Sequence, residues 1–237
     1  MAAGRHSRDS DGDEEEADEG ADDAAHRAKG VAEAAAHALN PNAPPKPSKY
    51  VAVYQAIEPQ CVPLLMWVLN ADNQQGIEYI ENALTLMAFM TNHGPAPFSA
   101  PMWQAYTSMY RAFMTFAFDY IEDVSIPFMN FVERDLQTFL TGGDQALGLS
   151  YAQMYFNVVQ KVLTYESAGK RNKIVASQML MSVLHWGRGS GWPNSGGRVD
   201  QFVAPYLQLV LGQLQTAKHI SLKFSYLEGI EACIMYS

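Results

Sequence analysis

Residues 102–132 read "MWQAYTSMYRAFMTFAFDYIEDVSIPFMNFV". Trp103, Tyr106, Tyr110, Phe113 and Met114 return every three or four positions, which places one apolar face along a helix. A second apolar helix follows almost at once in "VSIPFMNFV", residues 124–132, with Pro127 inside it. Two nearly abutting helices with this density of Met, Phe and Tyr cannot hide their apolar surface from water alone. They need further helices on both sides.

The rest of the chain from Tyr50 onward supplies them. Ile77, Ile80, Leu84 and Met87 form one helical face. Tyr151, Met154, Tyr155, Val158, Val159 and Val162 form another. Ile174, Met179, Val183 and Leu184 mark a further helix. Val199, Phe202, Val203, Tyr206, Val210, Leu211 and Leu214 mark the next, and Phe224, Leu227, Ile230 and Ile234 the last. The breaks fall at "NHGPAPFSAP", "TGGDQALG", "SAGKRN" and "GRGSGWPNSGGR", all rich in turn formers. No segment alternates as a strand does. The expected fold is all-α, an α-solenoid of HEAT-like antiparallel helix pairs over residues 48–237, with no sheet. A compact helical bundle is the competing architecture. "VSIPFMNFV" and "FVAPYLQLV" (202–210) each hold a proline in an apolar helix. Their separation matches two repeats of a solenoid and predicts a kink built into equivalent places.

Residues 1–47 are of another kind. They carry 11 acidic and 5 basic residues, so they hold most of the net charge of −9. Asp9, Asp11, Asp13, Glu14, Glu15, Glu16, Asp18, Glu19, Asp22 and Asp23 crowd one short block. Such a block repels itself and has nothing to bury, which predicts a disordered acidic N-terminal segment. Residues 24–39 are Ala-rich and could form a weak helix, ended by the proline-rich "NPNAPPKPSK". The acidic residues are the candidate contacts for a basic protein partner. A basic stripe for nucleic acid is absent from this balance of charge.

Chemical motifs are few. The alternating acids from Asp9 have Glu14 where a calcium loop needs Gly and Gly20 where it needs Glu. "GRGSGW" lacks the lysine and serine of a phosphate loop. The six histidines do not group with Cys, Asp or Glu at metal-ligand spacing, and no Ser–His–Asp order can be assigned. Cys61 and Cys233 read as two reduced core thiols. Lys170, Arg171 and Lys173 make a small basic patch before a helix. The longest uncharged stretch, Asn82 to Tyr110, is interrupted by "NHGPAP" and is not a membrane span. The expectation is a binding protein with no catalytic residues, no cofactor, no metal, no direct nucleic-acid contact and no membrane.

The order of several short motifs resembles the C-terminal half of importin-beta superfamily receptors, of the importin-7 and importin-8 type. These motifs are Met102-Trp103-Gln104, Phe118-Asp119-Tyr120, Pro127, Lys161-Val162-Leu163 and a Gly187-Arg188-Gly189 turn. The resemblance implies a nuclear transport receptor, or karyopherin, that carries protein cargo through the nuclear pore. It further implies nucleoporins and Ran-GTP as partners of the whole receptor, and residence in cytoplasm, nucleus and the nuclear envelope. Family receptors are several times longer and have a Ran-binding N-terminal arch to which no segment here is similar, so a segment of such a receptor is expected. The linker at 40–49 and "SGWPNSGG" at 190–197 depart from the family pattern. The alternative is a helical-repeat scaffold for protein–protein interaction without a transport role.

Overall fold

A computed structural model describes residues 51–189 and 196–235, with backbone alone at Gln74, 188–189 and 196–201. The acidic block, the Ala-rich segment and the proline-rich linker lie outside these residues. Nine α-helices follow one another among them. They are α1 (Val51–Val68), α2 (Ile80–His93), α3 (Ala100–Thr115), α4 (Ile121–Arg134), α5 (Leu136–Thr141), α6 (Tyr151–Thr164), α7 (Lys170–Gly189), α8 (Gly196–Thr216) and α9 (Ile220–Met235). Short 3-10 helices, Gln74–Tyr79 and Phe118–Tyr120, lead into α2 and α4.

Local chemistry sets the helix starts. The Ser99 hydroxyl accepts from Met102 N at 3.3 Å, and Pro101 sits in the first turn, where its missing N–H costs nothing. The Ser150 hydroxyl accepts from Gln153 N at 3.1 Å and starts α6. Asp135 caps α5 by accepting from Thr138 N.

Short connections then fold successive helices back as pairs: α1 with α2, α3 with α4, α6 with α7, and α8 with α9. The pairs stack in two layers. One layer runs α1, α3, α6, α8, and the other runs α2, α4, α7, α9, each helix packing on its neighbours in that order. This is the helical-repeat stack that the periodicity predicts. The short α5 and a hairpin are inserted between the second and third pairs. In the hairpin, Gly143–Asp144 pairs antiparallel with Leu149–Ser150 around Gly148, whose φ of 62° suits glycine. The expectation of no sheet is thus corrected by two strands of two residues. They lie within and just after the Gly-rich break at 142–148, too short for any alternation to show.

The core is aromatic where the opening stretch predicts it. Tyr106, Phe113, Phe128 and Phe131 are fully buried. Tyr106 meets Phe128 edge-on at 4.8 Å and Phe131 at 5.0 Å, and Trp103 stacks on Tyr151 at 4.2 Å. Burying each such ring contributes on the order of 3 kcal/mol. Their polar atoms are satisfied as well: Tyr106 Oη donates to Tyr151 O at 2.8 Å and Tyr155 Oη to Met179 O at 2.7 Å. Burial holds both phenols above their usual range, Tyr106 well above it with further help from the neighbouring tyrosines.

Four readings of detail need correction. Phe224, Leu227 and Ile234 are exposed, not buried. The core face of α9 is Leu222, Ser225, Tyr226, Gly229 and Cys233. Gly229 belongs there because Tyr206 Oη occupies the space a Cβ would take. Pro127 and Pro205 do not sit at equivalent places: Pro127 is in the second helix of its pair and Pro205 in the first helix of its own. Gly187–Gly189 end α7 instead of forming a turn, and Lys170, Arg171 and Lys173 lie within its first turn instead of before it.

Candidate partner-binding surface

The ten acidic candidates from Asp9 to Asp23 lie outside the described residues, so the structure brings none of them to a surface. What it does show is how the stack presents α4. Each flank of α4 meets a different helix, and the two contacts differ in chemistry.

Toward α2, α4 offers polar side chains. Asn130 Nδ2 donates to Thr91 Oγ1 at 3.0 Å and to Ala88 O at 3.3 Å. The Arg134 guanidinium donates to Thr91 O and Gly94 O, both at 2.6 Å, and lies over the Phe98 ring. These carbonyls end α2 and have no partner within that helix. Partial burial lowers the Arg134 pKa, with Glu133 and Tyr54 working against the shift. It stays charged regardless. The next residue, Asp135, is buried, and it accepts from Phe98 N at 3.0 Å and Trp103 Nε1 at 3.1 Å. One carboxylate therefore ties the α2–α3 connection and α3 to the end of α4.

Toward α7, the contact leaves a groove of about 510 Å³ whose lining mixes aliphatic with polar and charged side chains. Ile126 and Met129 of α4 face Ile174 and Val175 of α7 along it. Ile126 is 48% exposed, unusual for an isoleucine between packed helices. At its N-terminal end, Arg171 reaches Glu122 at 2.6 Å, an exposed ion pair across the groove. Glu133 of α4 feels His185 as well as Arg134. Desolvation holds its carboxyl above the usual range, and Arg134 and His185 only partly offset this.

In the layer of α1, α3, α6 and α8, polar side chains join α3 to α6. Asn157 Nδ2 donates to Tyr110 Oη at 3.2 Å. Lys161 Nζ donates to Met114 O at 2.8 Å and sits over the rings of Phe113 and Phe118. That lysine caps α3 and is part of the Lys161-Val162-Leu163 motif. Desolvation lowers its pKa. Among the described residues, no three of His, Cys, Asp and Glu are grouped to hold a metal ion, and no helix is long and apolar enough to cross a membrane.

The chain is 26% identical over 185 residues to the Importin beta-like SAD2 homolog of Arabidopsis thaliana. It is 23% identical over 192 residues to the probable importin-7 homolog of Dictyostelium discoideum. The chain is similar to importin beta-like proteins. Each alignment covers 78% of it but only 16% of the relative, so an importin-like protein of this kind is several times longer than the part compared. No protein-family model matches the chain, and no solved structure matches it significantly. The importin likeness and the stack of helix pairs agree.

Proposed function

We propose that this chain is a segment of a nuclear transport receptor that binds protein cargo for import. One observation carries the reading: the likeness to two importin-type proteins extends over 78% of the chain. The fold supports it, because stacked helix pairs offer broad surfaces on which partners dock. The order of motifs from Met102 onward favours the importin-7 and importin-8 branch and the C-terminal half of the receptor. The function is binding, not catalysis, and the whole receptor shuttles between cytoplasm and nucleus through the pore. Nucleoporins and Ran-GTP are partners of the whole receptor, and the segment alone binds Ran-GTP weakly.

The cargo is a basic protein. The block from Asp9 to Asp23 places ten carboxylates within fifteen residues, with only Arg5, Arg8, Arg27 and Lys29 near it in sequence. A lysine-rich partner relieves that repulsion, raising association rate more than specificity. Binding of a purified lysine-rich histone to the chain, with and without residues 9–23, tests this. The deletion should weaken binding at low salt and matter little at physiological salt, where the Debye length is about 8 Å. Unchanged low-salt affinity overturns the role of the block. The transport reading has its own test, nuclear accumulation of that histone in permeabilised cells supplied with the full-length receptor. No accumulation would leave the scaffold reading.

A further inference from the structure

We propose that α9 is a self-association surface: it docks antiparallel on α9 of a second copy of this chain, with the two-fold axis at Leu227. The proposal stands on the geometry of α9 and not on the transport reading. One side of α9 packs on α7 and α8 and buries Leu222, Ser225, Tyr226, Gly229 and Cys233. The other side carries Ile220, Phe224, Leu227, Ile234 and Met235, exposed at 70%, 60%, 49%, 71% and 71%. Together they leave on the order of 600 Å² of apolar surface in water, at the top of what a monomer exposes. With the polar side chains between them, this approaches the roughly 800 Å² per partner that a standard interface buries.

The order of residues selects the occupant. A two-fold interface sets the same patch against itself, so the patch must complement its own reverse. Residues 220–234 read "ISLKFSYLEGIEACI". Counted outward from Leu227, Ile220 and Ile234 stand seven positions away on either side, Lys223 and Glu231 four, and Phe224 and Ile230 three. In two antiparallel helices that meet at Leu227, residues equidistant from it on opposite sides come to the same level. Ile220 then meets Ile234 of the other copy, Phe224 meets Ile230, and Lys223 meets Glu231, each pair occurring twice. Lys223 and Glu231 are exposed and make no ion pair among the described residues. A parallel arrangement sets Lys223 against Lys223 and Glu231 against Glu231. An unrelated helix gains nothing from this symmetry, which makes a second copy the occupant.

Sedimentation equilibrium of the 237-residue chain tests this. A reversible monomer–dimer equilibrium with a Kd of about 1–100 µM is expected. Leu227→Asp puts two carboxylates beside the two-fold axis and should weaken the dimer by about tenfold or more. Lys223→Glu and Glu231→Lys should each weaken it by about tenfold, because each turns two attractions into two repulsions. The double variant Lys223→Glu/Glu231→Lys restores both pairs and should return to the parent's affinity. All three side chains reach solvent in the monomer, so circular dichroism should show unchanged helix content. A chain that stays monomeric at about 100 µM overturns the proposal and leaves the face to a helix of another protein. A dimer unmoved by Leu227→Asp also overturns it, by placing the contact elsewhere, for instance at the groove between α4 and α7. Charge reversals without effect, or a double variant no tighter than the single ones, overturn the antiparallel register.

Discussion

The two flanks of α4 make the sharpest contrast in the molecule. Toward α2 the contact is stapled by Asn130 and Arg134, with Asp135 joined on at the helix end. Toward α7 aliphatic side chains share the contact with polar ones, and the ion pair between Glu122 and Arg171 is exposed. Both flanks bury apolar surface, so adhesion alone does not separate them. The difference lies in what the neighbour presents. The C-terminal carbonyls of α2 reach α4 and lack intrahelical partners, so donors on α4 are needed there. The α7 residues facing α4, Arg171, Ile174, Val175 and Gln178, belong to its first turns and present no C-terminal carbonyls. Apolar burial holds the pairs together everywhere, whereas polar staples fix position where a helix end meets its neighbour.

That contrast can be broken by mutation, and the effects should fall in order. Asp135→Ala strands the Phe98 N–H and the Trp103 indole N–H and removes the α5 cap, at a cost of about 3–4 kcal/mol by chemical denaturation. Asp135→Asn should recover part of this. A loss below about 1 kcal/mol would show that the carboxylate is no staple. Arg134→Met keeps apolar bulk but leaves two carbonyls without their donor, and should cost about 2 kcal/mol. Hydrogen exchange should then rise at the C-terminal turn of α2 and not in α7. On the other flank, Arg171→Ala should change stability by about 0.5 kcal/mol or less, since the pair is exposed. An effect as large as that of Arg134→Met would erase the distinction between the flanks.

The smallest effect is a pH dependence. The Glu133 carboxyl is raised in the folded state, so folding favours its protonated form. Its contribution to stability is present below its unfolded pKa and is lost as pH rises through the folded value. Glu133→Gln should therefore melt slightly higher than the parent at pH 7. The two should converge near pH 4, around the unfolded carboxylate value. A variant that melts lower at pH 7 would mean that the attraction to Arg134 and His185 outweighs desolvation.

Much of this was legible from residue order. The faces of α3 and α6 stand out because polar residues fill their other sides, and Trp103, Tyr106, Tyr155 and Val158 are buried as the spacing requires. The last helix could not be read the same way. It is apolar on two sides, and the buried side holds Ser225 and Gly229 while Phe224 and Ile234 face outward. Periodicity finds a face but cannot say which of two apolar faces meets the core. The proline argument reached the right architecture through a false equivalence, because sequence spacing does not reveal whether a helix is first or second in its pair. Asp135 carried no signal, since a lone Asp beside an Arg reads as surface. Its burial follows from contacts 32 and 37 residues away. The groove likewise depends on two helices some 50 positions apart, which no local pattern reveals.

The central claim is that the pairs stack in order, with the first and last held apart by those between. Spin labels on Leu64 of α1 and Leu211 of α8, both exposed and both in the same layer, test it directly, with Cys61 and Cys233 replaced by alanine. Three helix-to-helix steps separate them, so pulsed electron resonance should give a distance centred near 30 Å. A distribution centred near 10 Å, the spacing of two packed helices, would mean a closed bundle and would contradict the stack.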